Sequence, residues 1–499
     1  MAQRADHISL SIQDEPANHI SSRIQNELAC FSPPPSERCI FRVHDKLRTH
    51  NEKAYEPSII AIGPYYHGKG KLQEMEEHKL WYLQQLLQRK NETIVDKYVM
   101  AMSDMEERAR KCYAESSSLD KTDFVKMMLL DGVFVIEFFR KCNSKSNYED
   151  DPLFQFWAIQ GQVFCDLLLL ENQLPFFILV QLLNMTRDPN TEEDIISLAL
   201  SSLEVVPGPD IPVDDVKHLF HLVDDVKHLL HLVHRSMCPS FANENENDQD
   251  KGKDEDSMYL SFAKKQMKGS TAKKKMKGSM CLPFAKKSKS YGEENENDQD
   301  KGKDEDKNKG KDKDEDEDVF TYTATELQEF GIEFKVAKES NSLFNIKFAN
   351  GSMEIPRLVI DDWTESILRN LIAYEQFTPG GQQKYVSDYA NFMDFLVNSP
   401  KDAALLRCSR IIVNLSGDDI AVCNMFNKLS NDVMLSPKPY HNQVFTDVRK
   451  YCRRPSNKWM ANLRHNYFNS PWASISVVAA VVLLLLTVAQ TIFSALSYI

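Results

Sequence analysis

Residues 166–185 read DLLLLENQLPFFILVQLLNM. The apolar side chains recur at roughly helical spacing over several turns. Two features interrupt them: Glu171, Asn172 and Gln173 place three polar side chains mid-run, and Pro175 removes a backbone donor. A helix built from this stretch is predicted to kink or divide at the proline. The apolar runs on either side total fewer than the eighteen or so unbroken residues a bilayer span needs, so the segment reads as a core helix.

Working outward, HKLWYLQQLLQRK (78–90), DFVKMMLLDGVFVIEFFRKC (123–142), ESILRNLIAYEQF (365–377) and 389–397 extend the same helical pattern. A different texture lies at 331–360, where apolar residues alternate around Asn350-Gly351. Asn-Gly supplies the positive φ of a tight turn, so a small β-hairpin is expected there. The fold class predicted is mainly α, an α-rich α+β body with a small β-hairpin region.

The 499 residues carry a formal net charge of -13, which offers no general affinity for nucleic acid. That net figure hides one strongly patterned insert. Residues 243–256 hold seven acids and two lysines, 257–290 hold ten lysines and no acid, and 291–318 hold fourteen acids and six lysines. The string ENENDQDKGKDED occurs at 244–256 and again at 294–306, so segmental duplication is the simplest origin. With few large apolar residues the stretch cannot offset the entropy of ordering, and disorder is predicted for 243–318. Its lysine block reads either as a contact for anionic lipid or as a linker neutralised by its acidic flanks.

Ten cysteines, at 30, 39, 112, 142, 165, 238, 281, 408, 423 and 452, contain no C-x-x-C pair and read as reduced thiols. A second duplication, VDDVKHLFHL (213–222) followed by VDDVKHLLHLV (223–233), sets His218, His221, His228, His231 and His234 three and seven residues apart. Pairs three apart share a helix face and have zinc-ligand spacing, but ten residues turn a helix by about 1,000°, leaving the two copies roughly 80° out of phase. An amphipathic helix with an inserted copy is the plainer reading. No metal and no cofactor is expected.

From Pro471 the chain reads PWASISVVAAVVLLLLTVAQTIFSALSYI, without Asp, Glu, Lys or Arg. At 1.5 Å per residue this predicts a transmembrane helix, with the lipid bilayer as partner through 472–497. Ser470 suits the N-cap, Pro471 the first helical position, and Trp472 an interfacial anchor. Upstream, Arg449, Lys450, Arg453, Arg454, Lys458 and Arg464 place the body in the cytosol of a single-pass, C-terminally anchored protein, with the plasma membrane as the first choice. Ser476, Ala480, Leu483, Thr487, Gln490, Thr491 and Ser494 fall on one face, which suits packing against another span, including a second copy. The organisation expected is a flexible 1–38, a helical body over 39–242, the insert 243–318, a second part of the body over 319–470, and the anchor 471–499.

Several stretches together resemble the plant-specific domain-of-unknown-function family numbered 247. These are CIFRVHDKLRTHNEKAYEPSIIAIGPYYHGKGKLQEMEEHKLWYL (39–83), DGVFVIEFF (131–139), DLLLLENQLPFFIL (166–179), ATELQEFGIEFK (324–335), MEIPRLVIDDWTESILRNLIAYEQ (353–376) and YFNSPWASIS (467–476). The resemblance marks as signature positions Tyr55, Pro57, Gly63, Pro64, Tyr65, His67, Glu76, Lys79, Glu171, Asn172, Pro175, Asn370, Glu375 and Gln376. It implies a single-span plant membrane protein without assigned biochemistry, in a family whose grass members include some implicated in pollen self-incompatibility. His44 stands where the family has Pro, so a different local turn is expected there.

Read physically, Tyr55-Glu56-Pro57 sets an extended segment, because the residue before proline is kept out of helical geometry. Gly63-Pro64 makes a turn that projects Tyr65, Tyr66 and His67. Glu74, Glu76 and Glu77 enrich the first turn of the following helix, where they complement its dipole. His67 with Glu76 or Glu77 is the candidate acid–base pair, yet the chain has no G-x-S-x-G, Walker loop, H-E-x-x-H or dinucleotide fingerprint. No catalytic residue is assigned. The expected function is a non-enzymatic recognition or signalling component acting through an unidentified protein partner. The alternative is an enzyme with an unrecognised site in the helical body.

Overall fold

The computed structural model describes residues 20–29, 37–144, 150–188, 193–202, 226–238, 321–338, 340, 342–378, 381–467 and 471–496. The insert at 243–318 and two histidines of the duplicated segment, His218 and His221, lie outside the described residues.

The first part of the body is built from helices α1 (Glu74–Arg89), α2 (Asp96–Lys111), α3 (Lys121–Asn143), α4 (Trp157–Leu167), α5 (Phe176–Thr186), α6 (Ile195–Ser202) and α7 (Leu229–Met237). Helix α3 is its axis. Asp120 caps it by accepting from the Asp123 N–H, and its buried residues include an unbroken run from Met127 to Phe139. A helix apolar on every face must be enclosed, and α1, α2, α5 and α6 enclose this one. At Gly132 the α5 side chain of Leu182 comes within 2.4 Å of where a Cβ would stand, so only glycine allows that approach.

Pro175 divides the long apolar run. α4 ends at Leu167, Pro175 sits at the N-cap of α5, and residues 168–174 between them are buried without being helical. A buried loop needs a partner for every backbone polar group.

The second part of the body contains strands β1 (Glu333–Val336), β2 (Lys347–Ala349), β3 (Ser352–Ile355), β4 (Leu358–Ile360) and β5 (Ile412–Asn414). With them are α8 (Thr364–Gln376), α9 (Tyr385–Leu396), α10 (Pro400–Cys408), α11 (Asp419–Leu429), α12 (Asn442–Cys452) and α13 (Pro455–Tyr467). β2 and β3 form the hairpin, with Lys347 opposite Glu354 and Ala349 opposite Ser352. Its two-residue turn has φ 51° at Asn350 and 78° at Gly351, the conformation Asn-Gly favours. A Cβ on Gly351 would meet the Tyr451 hydroxyl at 2.6 Å. β1 adds to the other edge of β3 in parallel, giving the order β1-β3-β2, and β4 pairs in parallel with β5. Helix α8 joins the two parts, because it packs on α7, α9, α11 and the short turn Glu52–Tyr55.

The C-terminal expectation is corrected. Pro471–Leu496 is helical (α14), but among the described residues no helix is long and apolar enough to cross a membrane. The transmembrane helix of the predicted fold class, the bilayer partnership through 472–497 and the single-pass, C-terminally anchored location are therefore set aside in favour of a helix-rich fold with a few strands. On the face proposed for packing, the Thr487 hydroxyl donates to the Leu483 carbonyl and that of Thr491 to the Thr487 carbonyl, both within the helix.

Candidate functional site

The signature segment 55–67 crosses the core through bends and a turn, without forming a β-strand. Glu56 has φ -110° and ψ 131°, as its place before Pro57 requires. Its successors' backbone donors go to side chains instead. Asp166, near the end of α4, accepts from the N–H groups of Ser58, Ile59 and Ile60, at 2.7 Å from Ile59 and 2.9 Å from Ile60. Asn172 accepts from Ile62 N–H at 2.7 Å and donates to the Ile60 carbonyl at 3.0 Å. Asp131, in the middle of α3, accepts from Gly63 N–H at 2.8 Å. Gly63 holds φ 75°, and a Cβ there would lie 2.5 Å from the Gln173 carbonyl oxygen.

Two charged hubs hold this layer. Glu171 is fully buried and receives Arg42 at 3.0 Å, Tyr66 at 2.8 Å, the Val43 N–H at 2.7 Å, and a close contact from Arg48. Lys79 is also fully buried and donates to Asp131 at 2.6 Å, Glu76 at 2.5 Å and the Ala61 carbonyl at 2.6 Å. Burial alone would lower the Lys79 ammonium, but the carboxylates of Asp131 and Glu76 outweigh it and hold Lys79 above its ordinary value. Burial raises Asp131 and Asp166 despite their partners. From the second part of the body, Asn370 accepts from Leu170 N–H and donates to the Ala54 carbonyl, so α8 closes over both signature segments.

Nearly all the signature positions therefore converge, and they point inward. Tyr55, Pro57, Gly63 and Tyr65 are buried, and the Tyr65 hydroxyl donates to the Ile40 carbonyl at 3.2 Å. Pro64 is half-buried, and Pro175 and Gln376 flank the layer, the latter accepting from Met434 N–H. The pair of His67 with Glu76 is not assembled: Glu76 is bound to Lys79, while His67 Nδ1 is buried without a hydrogen-bond partner. Glu77 is exposed. At His44, φ is -62°, a value proline would impose, and the ring accepts from Lys46 N–H; the histidine keeps the turn and adds a cap. The acidic hubs have a visible signal in the chain, since Asp131 and Asp166 each stand alone in an apolar run and so demand a buried partner.

A second buried cluster forms around three histidines of the duplicated segment. His228, His231 and His234 of the α7 segment surround the ring of Tyr374 at 5.2 to 5.6 Å. His234 Nε2 lies 2.8 Å from Glu375, which also accepts from the N–H groups of Val386 and Ser387. Cys238 Sγ lies 3.8 Å from His234 Nδ1. Burial pulls His234 down, but the Cys238 sulfur and the Glu375 carboxylate outweigh it and hold it up at about 10, whereas burial lowers His228 to about 3. Among the described residues no group of three His, Cys, Asp or Glu side chains could hold a metal ion.

At the start of α4 the surface is aromatic. Phe156 is 58% and Trp157 71% exposed, and the Trp157 ring meets Trp363 at 5.0 Å. Trp363 in turn sits against Gly161, where a Cβ would come within 2.4 Å of its ring. Trp363 also lines a cleft of about 210 Å³, with Lys53, Glu56, Gln162, Asp362 and Glu365.

Fold and site together define a helix-rich protein whose signature residues hold its own backbone in place. The chain belongs to DUF247, a family described as plant protein of unknown function, whose model matches residues 40–486. It is similar to UPF0481 protein At3g47200 of Arabidopsis thaliana, at 27% identity over 97% of this chain and 91% of that one. Putative UPF0481 protein At3g02645 of Arabidopsis thaliana is 24% identical over 90% of this chain and 89% of that one. No solved structure matches.

Proposed function

We propose that the protein is a non-enzymatic recognition component that acts through a protein partner docked at the start of α4. The observation that carries this reading is the exposed Trp157, braced by Trp363 beside the cleft. Tryptophan on a rigid support supplies large contact area at little entropic cost, which is why it dominates binding hot spots. The rim carries Glu56, Asp362 and Glu365 against Lys53, which favours a partner presenting basic side chains next to an apolar one. Of the candidate acid–base side chains, Glu76 supports the same reading by being spent on Lys79, and the buried acids Asp166 and Asp131 by being spent on backbone N–H groups. Pollen self-incompatibility, the setting implied for some grass relatives, is a recognition process of this kind.

The test is proximity labelling from the full chain in plant tissue, run beside Trp157→Ser. A reproducible neighbour lost in the variant supports the reading. Identical neighbours from both proteins, or none from either, overturn it.

A further inference from the structure

Two of the eight cysteines among the described residues are placed side by side by the backbone. Cys39 opens the signature, and Cys112 caps the C-terminus of α2. Ile40 and Tyr113 form an isolated parallel bridge, flanked by Cys39 N–H and Ile40 N–H donating to the Cys112 carbonyl at 2.9 and 3.0 Å and Ala114 N–H donating to the Ile40 carbonyl at 2.9 Å. One step back from the bridged pair, the register sets Cys39 beside Cys112. Paired strands run about 4.7–4.9 Å apart, inside the range of roughly 4.4–6.8 Å between Cα atoms that a disulfide accepts. The side chains follow the backbone closely enough for each sulfur to shift the other's titration, and the Cys112 thiol donates to the Arg108 carbonyl at 3.6 Å.

We propose that Cys39 and Cys112 form a redox-responsive pair, oxidised by a peroxide to a disulfide that fastens the signature segment to the end of α2. The two thiols are not equivalent. The neighbouring Cys39 holds the Cys112 thiol below its ordinary value, while the neighbouring Cys112, with burial, pushes Cys39 well above. Arg108 adds to the lowering of Cys112, against burial and Glu37. Cys112 is therefore the attacking sulfur and Cys39 the resolving one.

In the first step the Cys112 thiolate attacks a peroxide oxygen. An S–O bond forms, the O–O bond breaks, and hydroxide leaves to be protonated as water, with Cys112 left as the sulfenic acid. Cys39 then attacks the Cys112 sulfur, forming S–S and breaking S–O, and its proton leaves with the departing hydroxide as a second water. Two thiols lose two electrons in all and the peroxide gains them. Both cysteines are buried, at 6% and 5% exposure, but their chain neighbours Arg38, Lys111 and Tyr113 line a cleft of about 400 Å³. A peroxide is small enough to enter it. Cys408, exposed on α10, provides an internal control for indiscriminate oxidation.

The test treats the reduced full-length protein with limiting hydrogen peroxide, blocks remaining thiols with N-ethylmaleimide, and maps peptides without reductant. The expected result is a Cys39–Cys112 linked peptide that forms before Cys408 reacts and is cleaved by dithiothreitol. A melting temperature several degrees higher in the oxidised protein should accompany it, since cross-links stabilise chiefly by restricting the unfolded chain. Dimedone trapping should label Cys112 in Cys39→Ser and leave Cys39 unlabelled in Cys112→Ser. Oxidation of Cys408 with residues 39 and 112 still blocked as free thiols would overturn the proposal. The linkage experiment needs only the wild-type chain, so a folding defect in either variant does not weaken it.

Discussion

The two ends of α4 have opposite characters. At its start Phe156 and Trp157 stand in solvent, and at its end Asp166, Glu171, Asn172 and Gln173 are enclosed. Simple partition of apolar and polar groups would reverse this. The buried end shows what the polar residues do: Asp166 and Asn172 replace the strand that segment 55–67 lacks, accepting the N–H groups of Ser58, Ile59, Ile60 and Ile62, while Asp131 of α3 takes that of Gly63. The exposed end leaves its aromatic surface in solvent, which is where the proposed partner would dock. Substitutions at the two ends should accordingly separate stability from binding.

The largest stability effect is expected at Glu171. Glu171→Ala removes the acceptor for Arg42, Arg48, Tyr66 and Val43 N–H at once. Breaking a buried pair by deleting one partner costs about 3–5 kcal/mol, readable as a lower urea midpoint. An unchanged midpoint would mean that the hub is decorative and the contrast false. Gly63→Ala comes next, since it places a side chain at φ 75° and 2.5 Å from the Gln173 carbonyl. Left-handed backbone costs a non-glycine residue about 1–2 kcal/mol, and the collision adds to it.

The histidine cluster should show as pH dependence. His234 is held at about 10, so its contribution is complete below the unfolded value near 6.5 and is lost as pH rises through about 10. His228 is lowered to about 3, so the unfolded chain takes up its proton first and stability falls as pH drops below about 6.5. The cluster's contribution therefore peaks near pH 6.5, falling by a few kcal/mol on the alkaline side at about 1.4 kcal/mol per pH unit. Urea midpoints measured across that range check it. Glu375→Gln should shorten the alkaline limb, leaving the part held by Cys238, and spare the acid limb; a variant with both limbs intact would remove Glu375 from the account. Asp151 titrates in a separate window. Burial raises it, but His78, Lys141 and Tyr82 outweigh that and hold it at about 2, so its contribution is lost as pH falls from about 4 through 2.

How much of this is legible in the chain depends on the range of the interaction. The division at Pro175 and the Asn350-Gly351 hairpin are local, fixed by a missing donor and by a turn that needs positive φ. The parallel partners are not: β1 reaches β3 past β2, and β4 meets β5 some fifty residues later, with nothing in either strand to name the other. The signature residues were legible as a group, but not their direction. Tyr65 and Tyr66 follow a Gly-Pro turn and look projected, yet both hydroxyls bond inside the core. His228, His231 and His234 read as one face of an amphipathic helix, and only Glu375 and Tyr374 arriving from α8 give them chemistry. For α14, the apolar run predicted a bilayer span, and among the described residues no helix is long and apolar enough for one.

The smallest stability effect should belong to Trp157, and it is the sharpest probe of the contrast. Trp157→Ser removes a ring that is 71% exposed, so little buried area is lost beyond its contact with Trp363. A surface change of this kind stays within about 0.5 kcal/mol, and the urea midpoint should hardly move. Binding should respond in the other direction, because truncating a tryptophan at the centre of an interface commonly costs 2 kcal/mol or more, roughly thirtyfold in affinity. Glu171→Ala, assayed while still folded, should lose stability and keep the partner. If Trp157→Ser unfolds the protein instead, the aromatic pair is part of the fold, and the docking surface must be sought elsewhere.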